Sequence, residues 1–217
     1  MSDAAPARGR PPGLTGSALL AEARATFLQH GYAATTMSEV AARARISKSS
    51  LYREHPSKSA LYSAVVSDWA ESGRDAMRPA LDRLAQSRDL EPGLVELGDV
   101  ILRGVLSPPV LEMRRLVINE ARSQPEVAAM YLRESWQRNI AALAKTFDAM
   151  RRAGTLAADD TTAAAEEFTW LLVGAPLNAA LLGAEVEPAA DASSRAVALF
   201  LARYGADRSA VGTTDRA

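Results

Sequence analysis

"TTMSEVAARARISKSSLYREHPSK", residues 35–58, starts and stops two helices within 24 residues. Thr36 stands as a cap with Glu39 three positions on, and Val40, Ala41 and Ala44 share a face, which predicts a helix over about 37–44. Ser47 caps a second helix, over about 47–54, with Leu51 as its inward anchor, and "HPSK" closes it. Each is about two turns long, below the length at which an isolated helix persists in water, so longer neighbours must hold both. Upstream, "SALLAEARATFLQH" puts Leu20, Ala23 and Phe27 on one face and stops at Gly31. Downstream, Ser57 caps a longer helix with Leu61, Val65 and Trp69 on one stripe. Two short helices joined by a tight turn and pinned between long ones make a helix-turn-helix.

The chemistry of that unit suits duplex DNA. Ser49 and Ser50 leave the leading turn of the second helix small enough to approach base edges in a major groove. Leu51 faces inward, which turns Lys48, Tyr52 and Arg53 outward. The N–H groups opening the next helix at Ser57 and Lys58 form a phosphate site. Charge agrees: residues 1–58 carry eight Lys or Arg against four acids, and the remainder 17 against 22. A basic head on an acidic body points to a polyanionic partner for the head.

Composition excludes other classes. None of the 217 residues is cysteine, so disulfide scaffolds, thiolate metal sites and cysteine nucleophiles are out. The first 16 residues are polar and rich in Pro and Gly, and no window approaches the 18 or so apolar residues of a membrane span, so a cytoplasmic protein without membrane partners is expected. Both histidines, His30 and His55, lie in the head; no metal-ligand spacing or Gly-rich phosphate loop occurs. The pairs Asp159-Asp160 and Glu166-Glu167 are adjacent, so on a helix they diverge. No enzyme, cofactor or metal is expected.

"GYAATTMSEVAARARISKSSLYREHPSK" resembles the DNA-binding region of the TetR/AcrR family of bacterial transcriptional regulators, over about residues 15–66. The resemblance implies that Thr36, Lys48, Tyr52 and Lys58 contact phosphates and that Ser49, Ser50 and Arg53 lie nearest base edges. It implies an all-α fold: a three-helix head over 15–62 and a ligand-binding, dimerising body over 63–205, between a basic arm (1–14) and a tail (206–217). "RRLVINEARSQPEVAAMYLRES" and "LLVGAPLNAALLG" resemble the AefR-like subgroup of C-terminal domains. Two positions depart from the family pattern. Arg45 replaces the usual Gly of the turn: either it adopts a left-handed conformation at a cost of about 1–2 kcal/mol, or the turn differs and Arg45 adds a phosphate contact. His55 replaces an aromatic residue, as a packed substitute or a pH-sensitive brace. Arg8 and Arg10 form either a solubilising tail or an arm for a minor groove.

In the body, helices are expected near 92–106, 109–123, 126–152, 162–183 and 189–204, with a kink or break at Pro79. "EEFTWLLVGAPLNAALLG" is apolar around most of its circumference, and Pro176 should loosen the bond at Leu172 and bend it. Gly174, Ala175, Ala179, Leu182 and Gly183, with Val197, Phe200, Leu201 and Tyr204, form either a four-helix dimer interface or intrachain core. Trp69, Leu102, Leu106, Met113, Leu116 and Val117 are candidates to line an effector pocket. So are Tyr131, Trp136, Phe147 and Trp170, with Glu120 as a polar anchor; the alternative is plain core for these residues and an exposed edge carboxylate for Glu120. Such a pocket favours an apolar or aromatic small molecule. The expected function is a homodimeric, ligand-responsive repressor on a near-palindromic operator; a transcriptional activator, or a ligand-independent DNA-binding regulator, is the alternative.

Overall fold

The computed structural model describes residues 13–73, 76–87 and 89–206, and every named element in them is helical. In the head, α1 (Gly16–Ala34) packs on α4 (Lys58–Ser72), and α2 (Met37–Arg43) and α3 (Lys48–Glu54) sit together beside them. The caps form as the sequence requires. Thr36 Oγ1 accepts from Glu39 N at 3.2 Å, Ser47 Oγ from Ser50 N at 3.0 Å, and Ser57 Oγ from Ala60 N at 3.0 Å. The reciprocal half of the Thr36 box is different: the Glu39 carboxylate meets His30 Nε2 at 3.1 Å. Regular helix stops at Gly31, whose φ of 76° is open to glycine and strained for a residue with a Cβ.

The body begins with α5 (Arg78–Gln86), a helix the sequence reading left out. Pro79 lies in its first turn, where the missing N–H costs nothing, so it starts a helix rather than breaking one. Then come α6 (Leu90–Val105), α7 (Pro108–Glu120) and α8 (Pro125–Tyr131). A π-helical segment (Leu132–Gln137) carries α8 directly into α9 (Arg138–Arg152). α10 (Thr161–Leu181) contains Pro176, and α11 (Ala192–Tyr204) closes the body. β-Type pairing amounts, in the described residues, to one isolated bridge between Leu156 and Gly205. No described helix is long and apolar enough to cross a membrane.

Two apolar cores result. In the body, α6, α9, α10 and α11 converge on an aromatic cluster: Phe168 lies 5.9 Å from Phe147 and 5.0 Å from Phe200, which lies 5.0 Å from Tyr204. Such rings stabilise by roughly 1.5–3 kcal/mol each through burial alone. Gly98 lets α6 approach closely, because a Cβ there would sit 3.1 Å from both Leu172 and Ser193. This core corrects two expectations. Val197, Phe200 and Tyr204 are buried in the core of their own chain rather than presented on its surface, and Phe147, fully buried, lies in the same core and outside the cavities described below. Leu102 is likewise body core.

The second core belongs to the head but does not end with it. Leu19, Phe27, Val40, Leu51, Leu61 and Tyr62 pack with Met113, Leu116 and Val117 of α7 and with Val127 and Tyr131 of α8. Met113, Leu116 and Val117 pack here and line none of the cavities described below. Head helices of this length lack enough apolar surface of their own, and α7 and α8 complete it.

Candidate nucleic-acid interface and body cavity

The turn between α2 and α3 decides how α3 is presented. Arg45 N donates to Ala42 O at 3.1 Å and Ile46 N to Ala41 O at 3.0 Å, the paired bonds that satisfy the last carbonyls of a helix. That pattern needs a left-handed residue between them, and Arg45 takes it with φ 58°, the single positive-φ non-glycine among the described residues. The usual turn is thus kept, at a conformational cost. Arg45 is exposed beside the leading turn of α3. Leu14 N donates to Ala44 O at 2.9 Å, tying the chain ahead of α1 to the same turn. The Arg8–Arg10 arm and the tail from 207 lie outside the described residues.

With Leu51 fully buried, α3 turns its other residues outward. Lys48, Ser49, Tyr52 and Arg53 are exposed and Ser50 half-buried. The Lys48 ammonium lies 5.8 Å from the Tyr52 ring centre. Ser47 Oγ bonds both Ser49 Oγ (2.9 Å) and Ser50 Oγ (2.8 Å), so three hydroxyls form one polar tip. Thr36 is exposed on its cap. His55 is half-buried and caps the end of α3, with its N–H on Leu51 O at 2.8 Å. The exposed residues of α3 form its outward face.

Lys58 departs from the expected phosphate contact. Its ammonium donates to the carbonyls of Tyr32 (2.8 Å), Ala33 (3.0 Å) and Thr35 (3.0 Å), and lies 4.5 Å from the Tyr32 ring centre. All three ammonium hydrogens are used. Lys58 closes the end of α1, where the helix dipole also favours a cation. The neighbouring network crosses to the body: Ser59 Oγ donates to Gln124 Oε1 at 2.6 Å, and Gln124 Nε2 to the Tyr32 hydroxyl at 3.1 Å. Gln124 thereby holds α1 and α4 to the α7–α8 corner. Sequence patterning missed it, since a lone Gln before Pro125 reads as loop.

A cavity of about 170 Å³ opens between α4, α6, α7 and the π-helical segment. Of the expected lining residues, Trp69, Tyr131 and Trp136 face it. Leu106 borders a different cleft, with Arg115 and Ala180. Glu120 is half-buried beside Ser123, whose hydroxyl it accepts at 2.5 Å, and its charge adds to burial in pushing the Tyr62 hydroxyl well above its usual range. Trp170 packs 5.2 Å from Trp136 but is 52% exposed, outside the cavity. Met77, Val100, Val105 and Arg114 were missed. The wall is assembled from residues up to 70 positions apart, and no local period marks it.

The expected dimer residues divide. Ala175, Leu182 and Gly183 are exposed, Gly174, Ala179 and Leu201 half-buried. With Leu171, Ala175, Asn178 and Leu182 on one stripe of α10, and Ala198, Leu199 and Ala202 on α11, these helices keep an exposed apolar face. It lies opposite Phe200 and Tyr204.

Comparison with known proteins agrees with this architecture. Residues 19–65 match the family of bacterial regulatory proteins, tetR family, and residues 92–206 match the AefR-like transcriptional repressor, C-terminal domain. A TetR-family protein from Mesorhizobium loti MAFF303099 is similar in structure, with a TM-score of 0.81 and 26% identity over 86% of this chain and 95% of its own. The flavonoid-responsive regulator FrrA gives 0.70 and 25% over 86% and 95%, and a TetR transcriptional regulator from Agrobacterium tumefaciens 0.63 and 28% over 88% and 94%. No curated protein matches the chain by sequence. With the head, the outward face of α3 and more than half of its length all of one pattern, the chain belongs to the TetR family, with an AefR-like C-terminal domain, and is a DNA-binding transcriptional regulator rather than an enzyme.

Proposed function

We propose that the protein is a cytoplasmic, homodimeric repressor released from a near-palindromic operator by a small apolar or aromatic effector. One observation carries this reading: Trp69 and Tyr131 belong to the head's apolar core and to the wall of the body cavity at once. On its other side Trp69 meets the Arg24 guanidinium of α1, 4.6 Å from the ring centre. An occupant that moves either ring must move α1 or α4, and with them α3. The effector then favours one of two arrangements of head and body, and each ligand weakens the other's binding by the same factor. FrrA's responsiveness to flavonoids supports an aromatic effector.

On DNA, Lys48, Tyr52, Thr36 and Arg45 would hold phosphates while Ser47, Ser49, Ser50 and Arg53 approach base edges. Lys58 serves as a brace that sets α1 against α4. Dimerisation through the exposed face of α10 and α11 would place two α3 helices about 34–36 Å apart, one DNA turn. Selection of preferred sites from a random duplex library tests head, dimer and spacing together, and should return inverted repeats with half-sites one turn apart. Recovery of unpaired single sites would reject the dimeric reading. An activator shares all of this geometry, and a reporter fused to a selected promoter distinguishes the two by the sign of its response.

A further inference from the structure

The cavity wall carries two charged side chains, Arg114 and Glu134, and they are not equivalent. Glu134 Oε2 lies 2.8 Å from Arg138 Nη2, so its charge is already matched. Arg114 has no carboxylate partner among the described residues. Its guanidinium rests 5.0 Å from the centre of the Trp136 ring, and its Nε is sealed from solvent without a hydrogen-bond partner. A half-buried guanidinium whose Nε has given up water without gaining a hydrogen bond is under-satisfied at that atom, and its planar edge matches a carboxylate through two parallel bonds. Trp69, Trp136, Val100 and Val105 supply flat and branched apolar surface around it. The space, about 170 Å³, is close to that of an engineered cavity of roughly 150 Å³ that accepts benzene.

We infer that the cavity takes a one-ring aromatic carboxylate, with the ring against Trp69 and Trp136 and the carboxylate on Arg114. This rests on the proposal that the cavity is the effector site. Ligand entry supplies Arg114 with the anion it lacks and draws on α7, whose Met113, Leu116 and Val117 lie in the head's core. A binding event at Arg114 is therefore one residue away from the surface on which α1 and α4 sit.

The test is a charge series on the unmodified dimer: benzoate, benzamide and benzylamine, followed by tryptophan fluorescence and by calorimetry. Benzoate should bind at least about tenfold more tightly than benzamide, since a charged bidentate pair is lost with the carboxylate, and benzylamine should bind least. In Arg114→Met, checked for an unchanged melting transition, the affinities for benzoate and benzamide should converge. Arg114→Lys should keep part of the preference, and it replaces the Met variant if that one melts early. Equal binding of benzoate and benzamide to the unmodified protein, or a preference that survives Arg114→Met, would overturn the inference. If benzamide binds as well as benzoate and still lowers affinity for a selected operator, the effector site stands while the carboxylate assignment falls. If no member binds, both fall.

Discussion

Arg45 shows how one side chain can be held at odds with its backbone. At the C-terminal turn of α2 its left-handed φ of 58° costs about 1–2 kcal/mol relative to a position that suits an L-residue. Arg45→Gly should therefore raise stability by about 1 kcal/mol in urea unfolding, after allowance for glycine's greater entropy in the unfolded chain. It should also weaken operator binding and flatten its salt dependence if the guanidinium is retained for a phosphate. Lys58 makes the opposite case. Its ammonium is consumed by three carbonyls, so Lys58→Ala should cost about 1–3 kcal/mol of stability while leaving the salt slope of DNA binding unchanged. Lys48→Ala, with its charge facing solvent, should leave stability alone and reduce that slope by roughly 0.9 per protomer. Had Lys58 been the phosphate ligand, the two variants would exchange signatures.

At the scale of elements, α11 separates core from exposed apolar face by a single step around its axis. Phe200 is buried and Leu199 beside it is 62% exposed. Phe200→Ala should destabilise the fold by about 3–5 kcal/mol. Leu199→Glu together with Leu182→Glu should leave far-UV circular dichroism intact and shift the light-scattering mass from dimer to monomer. A dimer that survives the double change would move the interface elsewhere. The end of α9 offers a pH probe. Hydrogen bonds from Arg152 and then Arg151 hold the Asp148 carboxyl below its ordinary range. A carboxyl depressed in the folded state adds stability above its unfolded pKa, and loses it as pH falls through the folded value. Asp148→Asn should therefore be slightly less stable than the parent near neutrality, with the difference vanishing in acid.

For the whole molecule, the important feature is that the head is incomplete by itself. Met113, fully buried on α7, is more than 40 residues beyond α4 yet packs in the head's core. Met113→Ala should cost about 2–5 kcal/mol and increase hydrogen exchange in α1–α4, although it lies on α7, outside the head helices. Loss of protection confined to the body would mean that head and body open independently.

The boundaries of α2 and α3, their Thr36, Ser47 and Ser57 caps, the inward Leu51 and the all-helical class were legible in the sequence, because capping and the 3.6-residue period act over a few neighbouring positions. The route of Lys58 to the carbonyls of α1, the burial of Phe147 and Phe200, the π-helical segment beside the cavity and the isolation of Arg114 were not. Each depends on which face of one helix meets which face of another, across separations of 22 residues or more in the Lys58 and Arg114 cases. An amphipathic helix states that it has an apolar side; only packing assigns that side to its own chain, to a second copy, or to an empty space that a ligand can fill.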